Sequence, residues 1–142
     1  MIKKIIRIIL TILTVSFIIS IIFYIGNVII YNTMSVPTED HYLYATSFMQ
    51  IMILCIVTCI FAYIIYGIVL FLIKSEVNIE LKIFVSSLAF LLVFIFYCFN
   101  VGQSNYLQPY ILKNILSFIS GGIMLPVIEK YLKTRFSTLQ KE

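Results

Sequence analysis

Residues 47–73 read SFMQIMILCIVTCIFAYIIYGIVLFLI, a run with no Asp, Glu, Lys, Arg or His. Crossing the hydrocarbon of a bilayer takes about 20 residues of helix, so this stretch is long enough by itself. Its apolar residues are continuous and do not alternate, which excludes a strand of a membrane barrel. In lipid the backbone must satisfy its own polar groups, so the run has to be a helix. At about 1.5 Å per residue it measures about 40 Å, and it must tilt or protrude.

Working outward, the windows Ile8–Thr38, Ile83–Leu112 and Asn114–Ile128 are likewise free of charge. The predicted spans are 8–31, 47–73, 81–100 and 107–128, the last tolerating Lys113 near its start. Composition agrees. The 142 residues are 62% hydrophobic and 11% charged, against about 25% charged in a soluble domain. That is too little charge to coat a globule in water. The expected fold is an all-α membrane protein: residues 1–142 as one domain, an antiparallel bundle of four transmembrane helices. The start, MIKKIIRIIL, is positive like a secretory signal. The apolar run after it is too long for one and lacks a small-residue cleavage site, so it reads as an uncleaved first span.

Four spans put both termini on one side. Lys3, Lys4, Arg7, Lys74, Lys82, Lys130, Lys133, Arg135 and Lys141 fall on that side, and Lys113 alone falls toward the other. The positive-inside bias predicts both termini in the cytosol and a bacterial inner (plasma) membrane as the location. The net charge of +4 then belongs to flanks facing anionic headgroups. Membrane lipids are the expected neighbours, and no basic domain exists to bind nucleic acid.

Polar and small residues fall in helical stripes: Ser16, Ser20, Tyr24, Asn27 and Tyr31; Cys55, Thr58, Cys59, Ala62 and Tyr66; Ser86, Ala89, Val93, Tyr97 and Asn100; Tyr110, Asn114, Ser117 and Gly121. Residues of this kind let helices approach closely and hydrogen-bond across, so the stripes are expected to face one another. The fourth span ends in LSFISGGIMLPVIEKY (residues 116–131). Ser117 and Gly121 make a small-xxx-small pair, and Gly122 adjoins it. Pro126 cannot donate to the carbonyl of Gly122, which predicts a bend near the cytoplasmic end.

Several chemistries lack their residues. No ionisable acid or base sits mid-span, as proton relays and ion coupling require. The small four-span multidrug exporters carry a buried Glu in their first span, and this chain has none. The one histidine lies in the first outer loop, so no hydrolytic dyad or HExxH site can be assembled. Cys55 and Cys59 are spaced for one helix face but have no further metal ligands near them. No catalytic residue, metal site or cofactor is therefore expected, and the protein reads as a non-enzyme.

At the outer boundary the chain gathers Tyr42, Tyr44, Tyr106 and Tyr110 beside Glu39, Asp40 and Lys113. Tyrosine offers large contact area with a polar tip, which makes this rim the candidate partner-binding surface. Lys113 either snorkels to the headgroups or pairs with Glu39 or Asp40. Pro37-Thr38-Glu39-Asp40 reads as a helix start, so the second helix is expected to begin near Thr38.

With catalysis and ion coupling disfavoured, the sequence points to recognition within the membrane. The concrete form is a bacteriocin-immunity protein that binds a membrane-inserting, pore-forming toxin. The alternatives are a small transporter or flippase-like subunit, an accessory subunit of a membrane complex, and a holin-like pore former.

Overall fold

The structure, a computed structural model, describes the backbone of residues 2–33, 48–73, 77–101 and 108–138, with side chains at 2–26, 28–29, 48–73, 77–96 and 115–138. All of these residues except Val77 and Asn78 are helical. The helices are α1 (Ile2–Thr33), α2 (Phe48–Ile73), α3 (Ile79–Val101) and α4 (Gln108–Thr138). Each contains a segment long and apolar enough to cross a membrane. The chain is a multi-pass helical membrane protein. α1 reaches back to Ile2 and α4 on to Thr138, both past the predicted spans at the end where the cations gather.

The helices run up, down, up and down, and each packs on its chain neighbours, with α4 closing back on α1. Ser16 lies beside Cys55, Ser87 beside Gly122, and Gly121 beside both Ile19 and Phe90. The core holds Val15, Ile19, Ile51, Cys55, Cys59, Ala62 and Tyr66 from α1 and α2. It holds Val85, Ala89, Phe90, Phe94, Phe118 and Leu125 from α3 and α4. Phe118 stands between two rings of α3, with centroids 6.4 Å from Phe90 and 5.1 Å from Phe94. Only 28%, 22%, 28% and 33% of the four span windows are buried. The remainder is bulky and apolar, and it has to face lipid.

The interface of α3 and α4 is as close as it is because Gly122 has no side chain. A Cβ there would stand 2.5 Å from Ser87 Cα and 2.9 Å from Ser87 N. The opposite face of the pair is equally tight: a Cβ on Gly121 would run into Ile19 Cδ1 and come within 2.8 Å of Phe90 Cε1. Ser117, Gly121, Gly122 and Pro126 are all buried, and α4 continues as helix through Pro126. The amino end of α3 is set by Asn78. Its Oδ1 accepts the Leu81 N–H at 2.9 Å, and its carbonyl accepts the Lys82 N–H at 3.2 Å, an N-cap in the usual sense.

Two expectations are corrected. The stripe on α1 is only partly interior: Ser16 and Ser20 are fully buried, whereas Tyr24 is 44% exposed and meets Phe48 edge-on at 5.8 Å. On α2, Thr58 likewise sits at the margin of its stripe. The hydroxyls bond to their own helices as well as across. Thr11, Ser16, Ser20 and Thr58 donate to the carbonyl four residues back, at 2.6–2.9 Å. Ser16 and Ser20 also reach α2: Ser16 Oγ lies 3.5 Å from the Cys55 carbonyl, and the two serines hydrogen-bond the side chains of Cys59 and Cys55. In lipid the nearest acceptor for such a hydroxyl is its own helix. Their small size also lets the helices approach. Ser86 differs from them, with a buried Oγ that has no hydrogen-bond partner among the described residues.

Candidate functional site

The residues expected to form a partner-binding rim fall largely outside what is described. Glu39, Asp40, Tyr42, Tyr44 and Tyr106 lie outside the described residues, as does the proposed helix start at Thr38; Tyr110 and Lys113 are helical, but their side chains are not described. The packing residues of α4 are brought together as stated above. The described polar groups that converge do so at the other end of the bundle, where the termini lie.

All four helices contribute to this end. On α1, Arg7 sits one turn before buried Thr11 and so extends the interior face of its helix. On α4, steps of four, three and four carry the buried face from Phe118 through Gly122 and Leu125 to Glu129. On α2 the buried face runs Cys55–Cys59–Ala62–Tyr66, with Tyr63 one turn after Cys59.

The consequence is a carboxylate turned inward. Tyr63 Oη donates to Glu129 Oε1 at 3.2 Å, and Tyr66 Oη donates to Glu129 Oε2 at 3.4 Å. The bonds join α2 to α4, which lie diagonally across the bundle. Tyr66 is 2% exposed, whereas Tyr63 and Glu129 are half-buried.

Beside Glu129 lies a cleft of about 430 Å³, lined by Arg7 from α1, Ile79 and Lys82 from the start of α3, and Pro126, Glu129, Lys130, Lys133 and Thr134 from α4, together with Val77. Among the described residues, four cations and one carboxylate meet there. Arg7 Nε is buried and has no hydrogen-bond partner among them. A buried guanidinium nitrogen without an acceptor is a costly feature that ordinarily finds a partner. A second groove of about 430 Å³ adjoins the cleft and shares Ile79, Lys130 and Thr134 with it; Val127 and Tyr131 complete it. Arg135 lies apart from the cleft lining, over the Tyr131 ring at 5.6 Å with Nε donating to its hydroxyl at 3.1 Å.

The sequence reading placed Glu129 just outside the fourth span and treated Lys82, Lys130 and Lys133 as separate flanks facing headgroups. It therefore missed the cluster. One signal was available: Glu129 continues the Gly122–Leu125 face of α4, and Tyr66 ends the stripe of α2. Among the described residues, no group of three or more His, Cys, Asp or Glu gathers as a metal site would need.

Fold and site together define a class, the multi-pass four-helix membrane protein with a filled interior and a cationic cleft at one end. No protein-family model matches the chain, and no curated protein or solved structure is similar to it.

Proposed function

We propose that the protein is a recognition protein of the bacterial inner membrane, of the bacteriocin-immunity type. Its basic end lies in the cytosol, and it binds the apolar helices of a membrane-inserting toxin from the side. The observation that carries this reading is an interior filled by side chains. Phe90, Phe94, Phe118, Tyr66 and Leu125 occupy the centre of the bundle, and the core hydroxyls donate largely to their own helices. Such a packed core supports binding on the outer faces over passage through the middle. Its outer faces carry large apolar side chains at helical spacing, among them Val57, Phe61, Ile64, Ile68 and Phe71 of α2. Lipid supplies no hydrophobic drive between helices, so a partner helix has to be selected by shape against a ridge of this kind.

Expression in a bacterium sensitive to membrane-active bacteriocins tests the reading. Growth is expected to be normal without toxin, with selective survival under one or a few members of a panel. Phe61→Ala with Phe71→Ala is expected to abolish that survival while leaving the protein in the membrane. Growth arrest on expression alone, or sensitivity to every member, would overturn the proposal; the first result belongs to a pore former.

A further inference from the structure

The cations at the basic end differ from ordinary membrane flanks in where they point. Lys3 and Lys4 are exposed, as a positive flank requires. Arg7, Lys82, Lys130 and Lys133 come from three helices and line one cleft. Like charges gathered in this way repel one another unless an anion stands among them. Among the described residues of the cleft, the one carboxylate answers only part of that charge. Glu129 neutralises at most one of the four cations, and both its oxygens already accept from Tyr63 and Tyr66. Arg7 Nε remains buried without an acceptor among the described residues. Four donors of positive charge around a space of about 430 Å³ match the size of a small-ligand site, and Arg with Lys is the usual pairing for phosphate oxygens.

We propose that this cleft binds a phosphate group. Arg7 supplies the directed donor, Lys82, Lys130 and Lys133 supply charge, and Glu129 is held back by the two tyrosines so that it does not fill the space. The neighbouring groove fits a lipid as the bearer of that phosphate. It opens from the cleft past Ile79 to Val127 and Tyr131, which are 43% and 57% exposed on the apolar surface. A headgroup phosphate in the cleft would direct its acyl chain along this groove into the bilayer. A free phosphate would use the cleft alone.

The test uses the full-length protein purified in neutral detergent, with thermal unfolding as readout. One arm adds pyrophosphate. The other compares nanodiscs of phosphatidylcholine alone with nanodiscs that also contain phosphatidic acid. Lys130 and Lys133 are exposed, so Lys130→Gln with Lys133→Gln is expected to fold; Arg7→Gln removes the buried donor. Lys3→Gln with Lys4→Gln removes equal charge outside the cleft. The expected result is stabilisation by a phosphate bearer, with apparent affinity weakened roughly tenfold or more in each cleft variant and little changed in the Lys3/Lys4 control. Stabilisation by phosphatidic acid only identifies a headgroup, and stabilisation by pyrophosphate only identifies a free phosphate. No stabilisation in either arm, or an equal loss in the control, would overturn the proposal. Neither outcome depends on toxin protection, so this site and the immunity reading stand or fall separately.

Discussion

Gly122→Ala probes a close backbone contact between α3 and α4. The added methyl would stand 2.5 Å from Ser87 Cα, 2.8 Å from Ser87 Oγ and 2.9 Å from Ser87 N. Two of these three atoms are backbone and cannot swing away. Carbon atoms at rest sit about 3.5–4.0 Å apart, so α3 has to retreat from α4 by roughly 1 Å. That retreat also loosens the Phe90–Phe118 and Phe94–Phe118 contacts. Overpacking of this kind costs about 1–3 kcal/mol. Alanine returns about 1 kcal/mol as the better helix former, which leaves a net loss of up to about 2 kcal/mol, and about 1–3 kcal/mol relative to an alanine placed in open space. Two further glycines calibrate the measurement. Gly121→Ala meets the ends of side chains, Ile19 Cδ1 and the Phe90 ring, and is expected to cost less. Gly67→Ala meets nothing within 4 Å and is expected to be neutral or slightly stabilising. Unfolding in mixed micelles with increasing SDS, followed by far-UV circular dichroism, ranks the three. If Gly122→Ala proves as stable as Gly67→Ala, the α3–α4 packing described here is wrong. Ser87→Gly removes the hydroxyl contact but leaves the backbone ones, so it should rescue little.

Tyr66→Phe and Glu129→Leu form a double-mutant cycle across the bundle, with an expected coupling of about 0.6–2 kcal/mol in the same unfolding assay; additive single effects would mean that the bond contributes nothing. Phe118→Ala empties space between Phe90 and Phe94 and should destabilise by about 3 kcal/mol, the low end for a buried Phe because lipid adds little hydrophobic drive. Leu92→Ala, at a site 55% exposed, should change stability by well under half of that. For topology, single cysteines placed at Lys3 and Thr138 in a cysteine-free chain should resist a membrane-impermeant maleimide in intact spheroplasts and react after lysis. Reaction of either before lysis would reverse the assigned orientation.

The four helices were legible from the chain alone, because a bilayer leaves the backbone no partner but itself. Long charge-free runs can then be only helices, although α1 and α4 continue through the returning charges to Ile2 and Thr138. The close approach at Gly121 and Gly122 was legible for a related reason: glycines inside a membrane helix mark where a neighbour comes near. What the apolar pattern could not reveal is which way most side chains face. A soluble helix separates an apolar face from a polar one, whereas here lipid and core both accept Ile, Leu and Phe, and periodicity carries little direction. Tyr24 was therefore assigned to the interior and lies 44% exposed. Only the tertiary structure decided that Glu129 turns inward to Tyr63 and Tyr66 and that Arg7, Lys82, Lys130 and Lys133 share one cleft. These residues are far apart in sequence. Their meeting depends on the rotation of all four helices about their own axes, and that rotation is set by the shapes of small and aromatic side chains in the core.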